Sequence, residues 1–163
     1  MGRVNRRFTN HYSFGDWRNM ADVMTAGKIA VKKIARYFDK GITFNQETTL
    51  CGKSIINNIT KAKNRGYFIE LHYIGVESAE IAKVRVAGRI KQGGHGIAEQ
   101  DIERRYIETF DNLKIVLPEC DLTAFYDNTI EFRRFAIYKN GKSVRVSHEI
   151  PLWYEKFIEN VPF

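Results

Sequence analysis

Lys53-Ser-Ile-Ile-Asn-Asn-Ile-Thr-Lys-Ala-Lys-Asn-Arg65, closed by Gly66 and followed at once by Tyr67-Phe-Ile-Glu-Leu-His-Tyr-Ile74, changes its periodicity within one turn. In the first part Ile55, Ile56, Ile59 and Ala62 recur at three- and four-residue spacing, which predicts a helix with one apolar face. The second part is rich in aromatic and β-branched residues and predicts a strand. Working outward, Asn19 to Met24 opens another helical pattern through Met20, Val23, Met24, Ile34, Tyr37 and Phe38, with Gly41 placed to end it. Ile42 to Asn45 then reads as a short buried strand. Downstream, Glu80 to Ile90 and Glu99 to Leu117 are helical around Gly93-Gly94-His95-Gly96, and Asp121 to Tyr126 predicts a third strand. The order strand, helix, strand, helix, strand implies an α/β fold with a parallel sheet covered by helices, because parallel neighbours need long crossovers. A C-terminal β-hairpin over 131–150 is expected outside that sheet, with Asn140-Gly141 at its tip suited to a type I′ turn.

A chain of 163 residues, 44% of them hydrophobic, fits a single domain over 1–163. It has no apolar run long enough to span a membrane and no signal-like start, so a cytoplasmic protein without membrane association is expected. Cys51 and Cys120 have no neighbouring Cys or His at metal-ligand spacing, which points to reduced thiols and no metal site. With 26 Lys and Arg against 19 Asp and Glu, the net charge of +7 favours anionic partners in general. Nucleic acid is not the expected one, since the basic residues form no run interleaved with aromatics.

A phosphate-binding loop needs G-x-x-x-x-G-K-[ST], whose glycines let backbone N–H groups wrap phosphates. Gly52-Lys53-Ser54 stands at a helix start, but Glu47 occupies the position of the first glycine and would repel a triphosphate, so this site reads as a decoy. Gly141-Lys142-Ser143 falls in the hairpin turn and Gly27-Lys28 inside a helix.

Phe44-Asn-Gln-Glu-Thr-Thr-Leu50, Ala62-Lys-Asn-Arg-Gly-Tyr67, Arg85-Val86, Arg89, Gly93-Gly-His95, Asp101-Ile-Glu-Arg-Arg-Tyr106, Asn112-Leu113 and Tyr126-Asp-Asn128 occur in the order and spacing of one family. Together they resemble the zeta toxins, over residues 3 to 130. The resemblance implies a P-loop kinase-like fold, ATP with Mg2+, and γ-phosphate transfer to a hydroxyl, in toxin members that of UDP-N-acetylglucosamine. It implies a lid-like segment over 82–106 whose Arg85, Arg89, Arg104 and Arg105 serve catalysis by neutralising phosphate charge. It also implies that Glu47, Thr48 and Thr49 bind the acceptor and that Asp127 and Asn128 line the nucleotide end. Thr48 and Thr49 are equally placed to cap a helix, and Asp127-Asn128 to form a plain turn.

The chain departs from the family at its start, where the first strand and glycine-rich loop have no counterpart, so an N-terminally truncated kinase domain is expected. Arg3-Val4-Asn5 matches, yet Arg7 stands where the family places its general base, and an arginine accepts no proton near neutral pH. Asp16 lies nearby but belongs to the approach to the first helix. Three readings follow: a zeta-toxin-like kinase that is inactive in this form, with an antitoxin or a missing N-terminal segment as its partner; a non-catalytic basic domain that binds a nucleotide, nucleic acid or protein; or a pseudo-kinase fragment with no function of its own.

Overall fold

A computed structural model describes residues 18–94 and 96–159; Arg3, Arg7, Asp16 and His95 lie outside the described residues. The chain divides into two compact units, residues 1–47 and 48–163. In the first, α1 (Met20–Asp39) begins where the Asn19 side chain accepts the Ala21 N–H. It ends at Gly41 with φ 61°, where the Ile42 N–H turns back to the Tyr37 carbonyl. That closing bond explains why residues 42–45 form no strand, contrary to expectation. The Ile42 amide is used by the helix end, and Phe44 folds back onto Tyr37 and Phe38 with ring centroids 5.3 and 5.4 Å apart.

The second unit contains α2 (Lys53–Asn64), β1 (Glu70–Gly75), α3 (Ala79–Lys91), α4 (Glu99–Val116), β2 (Leu122–Asp127), β3 (Arg133–Lys139), β4 (Lys142–Val146) and α5 (Leu152–Tyr154), which runs on as a π-helical turn over Glu155–Glu159. The four strands lie in the order β1-β2-β3-β4. Among the described strands only β1 and β2 are parallel, joined by the α3–α4 crossover; β2–β3 and β3–β4 are antiparallel. The fold is therefore mixed α/β, and the expected all-parallel sheet is corrected. The hairpin lies inside the sheet, not beyond it, because β3 pairs along β2 for its whole length. Asn140 and Gly141, at φ 50° and 73°, make the expected tight turn.

Helices cover one face. Along β1 the buried or half-buried Leu71, Tyr73 and Gly75 alternate with exposed Glu70, His72 and Ile74, the pattern of a sheet packed on one side. The covered face carries Tyr73, Phe125, Phe135 and Tyr138 against Phe110, Leu113 and Val116 of α4, with Trp153, Tyr154 and Ile158 from the C-terminal helix. Trp153 stands 5.7 Å from Tyr73, 5.9 Å from Phe110 and 5.6 Å from Phe135, centroid to centroid.

Asp121 sets the register at the start of the parallel pair. Its carboxylate accepts the Ile69 N–H at 2.8 Å and the Lys63 ammonium at 2.9 Å, while its own N–H donates to the Ile69 carbonyl. The Ile69 amide and then Lys63 hold the Asp121 pKa below its ordinary value. A depressed carboxylate stabilises the fold above its unfolded pKa and loses that contribution as pH falls through the folded one. Asp121→Asn is expected to cost about 1 kcal/mol at neutral pH, half-exposure being allowed for. In urea titrations the gap from the parent chain should narrow steadily below about pH 4.

Candidate functional site

In an open α/β sheet, ligands gather where parallel strands end. Here β1 and β2 end at Gly75 and Asp127, and the segments beyond are tied together. The Asn128 N–H donates to the Gly75 carbonyl at 2.9 Å, and the Glu77 N–H to Thr129 Oγ1 at 3.1 Å. Asp127 Oδ1 accepts the Thr129 hydroxyl at 2.7 Å, the Thr129 N–H at 3.2 Å and the Trp153 indole N–H at 3.1 Å. Asp127 is thus buried as the hub of its own turn, so the plain-turn role is filled, while Asn128 beside it is half-exposed. From α3, Arg85 Nη2 donates to the Thr129 carbonyl at 3.1 Å, which puts a guanidinium over this edge. From α4, the Tyr106 hydroxyl donates to the Val76 and Glu77 carbonyls.

Two cavities meet at Glu77. One, of about 760 Å³, runs between Glu77–Glu80, Tyr106 and Leu152–Phe157; the other, of about 360 Å³, lies between Asp127, Thr129, Arg133 and Pro151. Burial pushes the Glu77 carboxyl up, against a backbone N–H of Trp153 that lowers it, and pushes the Tyr106 phenol up to about 12. Gly75 admits the Trp153 ring, since a Cβ there would lie 2.4 Å from it. Gly75→Ala should therefore cost about 1–3 kcal/mol through overpacking, read as a lower urea midpoint with an unchanged slope.

The other residues singled out in the sequence sit elsewhere. Arg85 and Arg89 share a face of α3 and are exposed. The α3–α4 turn closes with Gly93 at φ 81° and the Gly94 N–H on the Arg89 carbonyl, Gly94 packing against the Arg89 stem. Arg104 bonds Asp101 at 2.9 Å and Glu108 at 2.7 Å, one turn to either side on α4. The carbonyl of Arg105 lies 3.4 Å from the Cys51 thiol, which donates to it. The Arg104 guanidinium is thus engaged along α4 and that of Arg85 toward Thr129, while Arg105 meets the start of α2 through its backbone carbonyl.

Glu47 is exposed and closes the first unit. Thr48 Oγ1 accepts the Leu50 N–H at 3.0 Å, a local turn, and the Thr49 carbonyl accepts from Cys51. Leu50 is buried at φ 57°, held by Asn112 Nδ2, which donates to its carbonyl at 2.8 Å. Both cysteines are free thiols; Cys51 is half-buried, and burial raises the pKa of each, that of Cys120 to about 11.

Gly52-Lys53-Ser54 does open α2, with Gly52 at φ 81°. Its anion position is already filled, because Glu108 Oε1 accepts the Gly52 N–H at 2.7 Å. Among the described residues no group of three or more His, Cys, Asp or Glu is arranged to hold a metal. Glu108 stands where a phosphate would have to lie at the start of α2. Sequence reasoning missed Trp153, Tyr106, Thr129, Glu108 and Asn112 as the groups that shape these places. Their only signal was Asn112 and Tyr106 recurring in the family pattern.

No family model matches the chain, and no solved structure does. An uncharacterized protein of Haemophilus influenzae is 39% identical over 87 residues, 53% of this chain and 61% of that protein. The chain thus spans about three fifths of that relative's length. No helix among the described residues is long and apolar enough to cross a membrane.

Proposed function

We propose that the chain is a zeta-toxin-like phosphotransferase scaffold that, over these 163 residues, binds a nucleotide-sugar acceptor and does not turn over ATP. The observation that carries this reading is Arg85. The α3–α4 crossover, with its Gly93-Gly94 turn, delivers that guanidinium to the carboxyl edge of the one parallel pair. A guanidinium has five N–H donors in a fork suited to phosphate, and the bond to Thr129 leaves others for an anion. Asn128, half-exposed beside it, offers both donor and acceptor groups to a base or sugar. The phosphate-donor side is the missing part, since Glu108 takes the one glycine amide that resembles a phosphate loop.

Trp153 supplies the test, since its indole N–H is bonded to Asp127 at that edge. Titrating UDP-N-acetylglucosamine should change tryptophan emission saturably. Arg85→Ala should weaken that response by about tenfold, the value of a charge-assisted bond of 1.4 kcal/mol. No saturable change in the parent chain, or an identical titration of the variant, refutes the proposal.

A further inference from the structure

The uncovered face of the sheet carries a pattern that the sequence scatters over more than seventy residues. Cross-strand partners share a face, so the pairings His72–Ala124–Ile137–Arg145, Ile74–Tyr126–Arg134 and Glu70–Leu122–Lys139–Lys142 lie side by side on it. Apart from Ala124, which is buried among its neighbours, none of these residues is buried. Three rings stand there in a stack: His72 on Tyr126 at 5.8 Å and 25°, and Tyr126 on Phe132 at 5.0 Å and 9°. Both ends are open, with Phe132 60% exposed and the His72 side chain 52% exposed. The stack is braced. Glu70 Oε1 lies 2.9 Å from His72 Nε2, whose N–H it accepts, and the Tyr126 hydroxyl lies 3.2 Å from Nδ1.

The cations lie on the neighbouring strands. Arg134, Lys139, Lys142 and Arg145 are exposed on this face, and the carboxylate among these paired residues, Glu70, is bonded to His72. Two strand spacings, about 10 Å, separate the Tyr126 ring on β2 from Arg145 on β4, a gap that extended arginine and lysine side chains shorten. A flat aromatic stack with a cationic flank suits a chain of unpaired bases with a phosphate backbone, the bases continuing the stack on Phe132 and His72. A duplex keeps its base faces buried and matches only the cationic half. We propose that this face binds single-stranded nucleic acid, a role that stands apart from the strand-end site because it uses the other face of the sheet.

The test is fluorescence anisotropy of the full chain with labelled oligothymidylate and oligouridylate of about 15 nucleotides, a length typical of single-strand sites. Both should bind saturably, with log K falling against log salt at a slope near −3, for four phosphate contacts at about −0.7 each. Phe132→Ala should weaken binding by about tenfold with the slope unchanged, one lost stacking contact. Lys142→Gln and Arg145→Gln should each flatten the slope by about 0.7. All three positions are exposed, and circular dichroism checks that the variants remain folded. Four results would each overturn the proposal: no saturable binding of either oligomer, equal affinity for a duplex of the same length, indifference to Phe132→Ala, or sedimentation showing that this face is closed by a second copy which Phe132→Ala releases.

Discussion

Incubated with γ-labelled ATP and UDP-N-acetylglucosamine, the 163-residue chain is expected to place no label on the acceptor above background. Phosphoryl transfer depends on positioning and on cations around the moving group, and two contributions are lacking. No glycine-rich loop with its lysine occurs in the sequence, and the N–H of Gly52 in the nearest imitation is held by the Glu108 carboxylate. Arg7, where the resemblance calls for a general base, accepts no proton. A positioned base contributes about 10²–10⁴-fold and a transition-state charge contact about 10²–10³-fold, so a deficit of at least about 10⁴-fold is expected. Glu108→Gln, which removes the carboxylate from Gly52, should restore nothing. Label transfer that exceeds the level of an Arg85→Ala control would overturn this expectation and return Gly52-Lys53-Ser54 to consideration.

The second large effect is structural. Trp153→Ala should destabilise the chain by about 3–5 kcal/mol, because the ring fills the space over Gly75, packs on Tyr73, Phe110 and Phe135, and caps the Asp127 carboxylate. For a unit of this size the transition should fall by about 10–20 °C. Against a total stability of about 5–15 kcal/mol, the alanine variant is close to unfolding. Trp153→Phe keeps one ring but loses both the N–H and part of the indole over Gly75, so it should cost less than alanine, about 2–3 kcal/mol, and remain measurable. Equal losses in the two variants would show that the ring Phe retains, against Tyr73, Phe110 and Phe135, contributes nothing.

Much of this architecture is legible in the chain, and its limits have physical causes. The helix end at Gly41, the change from helix to strand at Gly66 and the Asn140-Gly141 turn are local, so a few residues determine them. Ile42 to Asn45 misleads because an apolar run carries no information on whether a partner strand exists, and here its first amide closes α1. The sheet was expected to be parallel from the alternation of elements, yet Glu70 and His72 alternating with Leu71 and Tyr73 already mark a strand covered on one side only. The site is less visible. Asp127 is evident as a strand-end carboxylate, but its partner Trp153 lies 26 residues away, and Glu108 reaches Gly52 across 56. Contacts of that span depend on how α4 and the C-terminal helix pack, and no local pattern encodes them. The same holds for the open sheet face, whose rings and cations become neighbours only through strand register.

The most direct test of the acceptor-binding account is an amide-detected spectrum of isotopically labelled chain titrated with UDP-N-acetylglucosamine. The account predicts saturable shifts for Glu77, Arg85, Asn128 and Thr129, the groups tied together at the ends of β1 and β2, with Lys142 to Val146 of β4 unmoved. Shifts confined to β4 and the open sheet face, or no shifts at millimolar ligand, would contradict it.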